Sequence, residues 1–189
     1  KTSDAPKEAA QSDNALTPVT AATIMEASTD GWRSHGGDYN EQRHSPLAKV
    51  STDNVADLGL AWSYDLDSSR GIEATPIVHD GVMYVTSTWN IVHAMDARTG
   101  ASLWTFDPVV DKAQAAKGCC DAVNRGVAIW GDQIFTATID GRLIALDAKT
   151  GAKNWDIQTI DKSMPYTITG APRIIKGKVM IGNGGAELG

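Results

Sequence analysis

The chain has 189 residues, 42% hydrophobic and 21% charged, with 18 glycines and a formal net charge of −6 at pH 7. That is enough chain for one ordinary domain with a sizeable core. The acidic balance and the lack of a basic block exclude a nucleic-acid partner, since phosphate recognition needs clustered Lys and Arg. No apolar run approaches the roughly 20 residues that a transmembrane helix requires.

Residues 1–28 read as a flexible N-terminal extension. The first 18 are small, polar and without apolar periodicity, and a short helical stretch follows around residues 21–27. Lys1-Thr2-Ser3-Asp4 lack the apolar core of a signal peptide, which fits both a mature secreted chain and a cytoplasmic one. Residues 31–47 are rich in Gly and polar side chains and read as a loop with a structural Trp32. From about Leu60, short apolar runs alternate with turn signals. Val82–Thr86 follows His79-Asp80-Gly81, Gln133–Thr138 follows Trp130-Gly131-Asp132, and Arg142–Leu146 follows Asp140-Gly141. Runs rich in β-branched residues between Asp-Gly and Gly-Asp pairs predict β-hairpins.

An internal repeat runs through this half. Ala94-Met-Asp96-Ala-Arg-Thr99-Gly100-Ala-Ser-Leu-Trp104 matches Ala145-Leu-Asp147-Ala-Lys-Thr150-Gly151-Ala-Lys-Asn-Trp155 at a constant offset of 51 residues (96 to 147, 104 to 155). In each unit the Asp can accept backbone N–H groups in the turn, the Gly can take positive φ, and the Trp can pack on a neighbouring unit. A repeat of that length with about four short strands predicts a β-propeller blade. The first blade is expected over 74–107 and the second over 125–157. A third begins at Gly170, with strands near 172–175 and 179–181. Three blades do not close a propeller, so the reading is of an incomplete one.

Few residues carry chemistry by themselves. Cys119 and Cys120 are adjacent. Their Cα atoms, about 3.8 Å apart across a trans peptide, are closer than the usual disulfide range. The residues alone leave open a strained vicinal bond, which implies an oxidising compartment, or two reduced buried thiols. Arg125 offers a planar fork for a carboxylate or serves as a strand-edge charge. Glu73 is a lone carboxylate before an apolar run. In Asn183-Gly184-Gly185-Ala186-Glu187 the glycines permit a close backbone approach, but one carboxylate is far from the six to eight oxygens that calcium takes. His35, His44, His79 and His93 lack paired metal-ligand spacing. No haem-attachment, dinucleotide or P-loop motif occurs.

Taken together and in this order, these motifs resemble the pyrroloquinoline quinone (PQQ)-dependent alcohol dehydrogenases, including the quinohaemoprotein type. The resemblance rests on Gly31-Trp32 through Ser45-Pro46-Leu47, Arg70–Pro76, Lys117–Gly126 with its Cys-Cys pair, and Gly182–Glu187. It covers about residues 31–189. It implies an all-β, eight-bladed β-propeller with tryptophan-docking motifs, of which residues 29–189 hold roughly the first three blades. Cys119 and Cys120 would form a vicinal disulfide over one face of PQQ. Glu73, Arg125 and Thr169 would bind its polar edge and carboxylates, Gly185 and Ala186 would lie close to it, and Glu187 would ligate Ca²⁺. The family's catalytic base comes from later blades, so none is expected here, and this piece alone is expected to be inactive. The implied reaction oxidises a primary alcohol, with electrons passing to a cytochrome and a haem c domain possible downstream. The implied compartment is the periplasm, with any signal peptide already removed. The competing readings are a non-enzymatic propeller scaffold of outer-membrane protein assembly and a PQQ dehydrogenase for methanol or a sugar. Cys119-Cys120, Arg125 and Glu187 separate the enzyme from the scaffold, which has no use for them.

Overall fold

The computed structural model describes residues 16–26, 28–66, 68–118 and 121–185. The predicted hairpins form around their glycine-containing turns, between strands whose residues are mostly buried in continuous runs. At Asp80-Gly81 both central residues have positive φ, 48° and 76°, which makes the tight connection between β1 (Ile77–His79) and β2 (Val82–Thr86). β3 (Val92–Asp96) and β4 (Ser102–Phe106) complete a four-stranded antiparallel sheet in the order β1-β2-β3-β4. The second sheet repeats it with β5 (Ala128–Trp130), β6 (Gln133–Ala137), β7 (Arg142–Asp147) and β8 (Lys153–Gln158). A third unit begins with the hairpin of β9 (Arg173–Ile175) and β10 (Lys178–Met180). The first sheet falls within the blade expected from the repeat, the second overruns its expected end by one residue at Gln158, and the third starts where the sequence places it.

The two complete sheets share one core. Tyr84, Val92 and Ala94 of the first pack with Ile134, Ile144 and Leu146 of the second, all fully buried. The repeated turn works as its residues suggest. Asp96 Oδ1 accepts from the backbone N–H and hydroxyl of Thr99 at 2.7 and 2.8 Å, and Asp147 Oδ1 does the same for Thr150 at 2.7 Å each. The Gly that ends each turn has φ 72° and carries an indole from the preceding unit. Trp104 lies on Gly151 and donates Nε1–H to Ala148 O at 3.1 Å. Trp62 lies on Gly100 and donates to Ala97 O at 3.3 Å. The sequence repeat at offset 51 does not reveal Trp62. Its segment, Trp62-Ser63-Tyr64-Asp65, instead parallels Trp104-Thr105-Phe106-Asp107 of β4, yet among the described residues it pairs with no strand.

Within the extension assigned to residues 1–28, the described part, 16–26 and 28, is docked on the sheets and holds the expected short helix. Val19 is 1% exposed and exchanges backbone hydrogen bonds with Gly131. Thr17 N–H donates to Asp80, and buried His79 meets the Thr17 carbonyl at 2.6 Å. The short helix α1 (Ala21–Met25), capped reciprocally by Thr20 and Thr23, buries Ile24 in the same core. Two apolar side chains and a few backbone bonds suffice to hold a segment that looks like a tail by composition.

The lead-in segments of the three first strands lie side by side. Thr75 N–H donates to Arg125 O at 3.2 Å, and Arg125 N–H donates to Thr169 O at 3.0 Å. The sheets therefore converge at the end where β1, β5 and β9 begin.

Replacing Gly151 with Ala is expected to destabilise the protein about 1–3 kcal/mol more than replacing Gly81. Both glycines have positive φ, but a Cβ at Gly151 would stand 2.7 Å from the Trp104 ring, whereas one at Gly81 meets open space. Denaturant unfolding of the two variants measures the difference, and equal losses would remove the docking argument.

Candidate functional site

The convergence of the lead-ins decides which side chains meet. Arg125, before β5, reaches both neighbours. Its Nη2 pairs with Glu73 Oε2 at 2.9 Å, and its Nη1 donates to Thr169 Oγ1 at 2.6 Å. Glu73 precedes β1 and Thr169 precedes β9. Neither charge is deeply buried: the side chains of Arg125 and Glu73 are 38% and 43% exposed. The sequence allowed a solvated carboxylate and a strand-edge arginine; the structure instead joins both with Thr169 into one cluster. At such exposure the ion pair adds little stability. Its effect is to orient a guanidinium, whose planar fork of five donors suits a carboxylate-bearing ligand.

The other two motifs lie along the same end. Thr167, two residues before Thr169, exchanges backbone hydrogen bonds with Gly184 at 2.9 Å in both directions. Gly185 packs against the carbonyls of Pro165 and Lys117, where a Cβ would not fit. The close approach made by this glycine is thus to backbone, and it sets the Gly182–Gly185 strand exit against the start of the Lys117–Gly126 motif. Cys119, Cys120, Ala186 and Glu187 lie outside the described residues.

Two further devices hold the long connection between the first and second blades. Trp89 sits at φ 63° with two cations over its ring, Arg70 at 5.3 Å and Lys112 at 5.1 Å. The Trp89 backbone N–H donates to Ala122 O at 3.1 Å, and Arg70 pairs with Asp121. The second device is a buried clamp. Asp140, 3% exposed, accepts from Arg142 Nε, from the Thr138 hydroxyl at 2.5 Å and from Asp111 N–H at 3.2 Å. Arg142 also donates to Pro108 O at 2.9 Å and pairs with Asp156 at 3.0 Å. Burial pushes the Asp140 carboxyl up, but the hydrogen bonds from Arg142, Thr138 and Asp111 outweigh it and hold it below its ordinary value. Neither device was visible in the sequence, where Asp140 read only as part of an Asp-Gly turn.

Residues 32–186 match the family described as the PQQ-containing glucose/ethanol/alcohol dehydrogenase β-propeller domain. The chain belongs to this family. It is 56% identical to a 1-butanol dehydrogenase (cytochrome c) of Thauera butanivorans over 92% of its own length and 25% of that protein. It is 60% identical to the quinohemoprotein alcohol dehydrogenase ADH IIB of Pseudomonas putida over 84% of its length and 23% of that protein. Among solved structures, quinohemoprotein alcohol dehydrogenase ADHIIG of Pseudomonas putida HK5 superposes with a TM-score of 0.89 at 53% identity, covering 92% of this chain and 26% of the other. The chain thus spans about a quarter of the length of these PQQ dehydrogenase relatives. No helix among the described residues is long and apolar enough to cross a membrane.

Asp140→Asn is expected to cost about 2 kcal/mol, because Arg142 loses one of its two carboxylate partners and keeps only Asp156. Because the native carboxyl titrates below its unfolded value, this stability is present above about pH 4 and is lost as the pH falls through the native pKa. Chemical unfolding of both proteins from pH 7 downward should show curves that converge in acid. A gap unchanged by acid would mean that the pair carries no such charge-dependent stability.

Proposed function

We propose that the full-length protein is a periplasmic PQQ-dependent alcohol dehydrogenase. It oxidises primary alcohols to aldehydes, uses Ca²⁺ beside the cofactor and passes electrons to a cytochrome, with a haem c domain as a further part. Residues 29–189 would supply roughly the first three of eight blades. Trp62-Ser63-Tyr64-Asp65 supports a closed ring: it repeats the outer-strand pattern of β4 and docks its Trp on the first blade, as β4 does on the second. It would be the outer strand of the blade that closes on β1.

The observation that carries this reading is the Glu73–Arg125–Thr169 cluster at the convergent end of the sheets. Its donor set fits an anionic, planar cofactor: a guanidinium fork, a hydroxyl and a carboxylate that fixes the fork. Arg125 would bind a cofactor carboxylate, Thr169 would orient Arg125 and offer its hydroxyl, and Glu73 would keep the guanidinium from swinging into solvent. Gly185 and Ala186 would let the backbone lie close by. Cys119 and Cys120, as a vicinal disulfide, would cover one face of the ring and exclude water, which agrees with an oxidising periplasm. Bound there, PQQ supplies an electrophilic quinone carbonyl that accepts hydride from the alcohol carbon. Glu187 would ligate calcium. Among the described residues no cluster of three metal-ligating side chains exists, so the calcium assignment rests on the resemblance. The catalytic base is assigned to none of these residues.

Dye reduction by a primary alcohol, measured on the full-length protein with and without added PQQ and Ca²⁺, tests the reading. Activity should require both, and Glu187→Ala should abolish the calcium requirement together with the activity. Arg125→Ala should weaken PQQ binding about 10- to 100-fold, the loss expected for one or two hydrogen bonds to a charged group. A protein that binds no PQQ and oxidises no alcohol would leave the propeller fold and favour the scaffold reading.

A further inference from the structure

Arg125 is held by its backbone as firmly as by its side chain. Its N–H and carbonyl are tied to Thr169 and Thr75, one neighbour on each side. The residue before it, Asn124, is 2% exposed and bonded in three directions. Its Oδ1 accepts from Gly126 N–H at 2.8 Å, closing an Asx turn with Arg125 at its centre. The same oxygen accepts from the Thr86 hydroxyl at 2.8 Å. Its Nδ2 donates to Ala137 O at 2.8 Å. Thr86 ends β2 of the first blade, and Ala137 ends β6 of the second. Buried Asn90 reinforces the seam, donating to the same carbonyl at 3.4 Å and accepting from Ile139 N–H at 2.9 Å.

The turn permits little else. Gly126 has φ 124°, and the Thr75 carbonyl lies 2.9 Å from where its Cβ would stand. Aspartate at 124 would keep the acceptor but lose the donor to Ala137 and bury a charge. Alanine would leave Gly126 N–H, the Thr86 hydroxyl and the Ala137 carbonyl without this partner.

We infer that Asn124 is a positioning residue for Arg125: it closes the turn that aims the guanidinium and locks that turn to the ends of β2 and β6. All three of its bonds go to protein, so it acts through Arg125 and not as a ligand. The inference rests on the reading of Arg125 as a PQQ contact.

A double-mutant cycle on the full-length apoprotein separates positioning from general support. PQQ is titrated into wild type, Asn124→Ala, Arg125→Ala and the double variant, with thermal melts as the folding control. Each single substitution is expected to weaken PQQ binding about 10-fold or more, as removal of supporting residues does around other bound groups. The double variant should bind no more weakly than Arg125→Ala alone. Losses that multiply, or an Asn124→Ala protein that binds PQQ like wild type, would overturn the inference. If Asn124→Ala does not fold, Thr86→Val, which removes one bond to Asn124 and nearly keeps the volume, takes its place in the cycle under the same criteria. Wild type that fails to bind PQQ would sink the reading of Arg125 itself, and this inference with it, a result distinct from multiplied losses in a binding protein.

Discussion

The contact between an indole and a glycine organises this molecule. Trp104 lies on Gly151 and Trp62 on Gly100, each with its N–H on a carbonyl of the same turn. A β-sheet with one apolar face has to cover it, and two twisted sheets can slide over each other at modest cost. The docked indole removes that freedom. It is wide, so it sets the separation of the outer strands, and its hydrogen bond fixes where along the turn it rests. With the outer edges spaced by a tryptophan and the inner edges spaced only by backbone hydrogen bonds, the sheets must splay outward and converge inward. That wedge geometry brings the lead-ins of β1, β5 and β9 within hydrogen-bonding distance of one another.

The polar chemistry follows from that convergence. Where several backbones approach end to end, their N–H and C=O groups no longer belong to a strand ladder and need other partners. The chain supplies them with short side chains that bond in several directions: Asn124 and Asn90 under the lead-ins, Thr138 and Asp140 one loop further out. A charged group in the place of Asn124 would carry a desolvation cost of several kcal/mol. The amide avoids it and still satisfies both donors and acceptors. Around Asn124, charge appears only where Arg125 and Glu73 keep a third or more of their area in water, whereas the buried Asp140 carboxylate is matched by Arg142.

Much of the scaffold is legible in the sequence because its signals are local. An Asp-Gly pair makes a hairpin wherever it stands, and the Asp-Ala-x-Thr-Gly turn closes on its own carboxylate. What is not legible depends on distant partners. Trp62 escapes the 51-residue spacing because the segment joining it to the first blade differs in length from the joins that follow. The docking of residues 16–26 turns on Val19 and Ile24, too few apolar residues to form a period. Asn124 reads as one more polar residue in a loop, since nothing in its neighbours announces that Thr86 and Ala137 will meet it. The resemblance supplied Glu73, Arg125 and Thr169 as a set, which spacing alone did not.

On the proposed reading, a repeat acquires a function here without losing its fold. Glu73, Asn124 and Thr169 occupy the same place in three successive units, each four residues before the first strand (77 − 73, 128 − 124, 173 − 169). The turn residues and the docking tryptophan are held constant because each unit must seat on the next. The lead-in position is no part of the tryptophan docking, and its side chain differs from unit to unit: a carboxylate on one side, a buried amide in the middle, a hydroxyl on the other. The middle unit turns its side chain inward to hold the backbone, and the next residue, Arg125, turns outward to its two neighbours. On that reading an asymmetric ligand meets an asymmetric set of partners, supplied by equivalent positions of three successive units with one substitution in each.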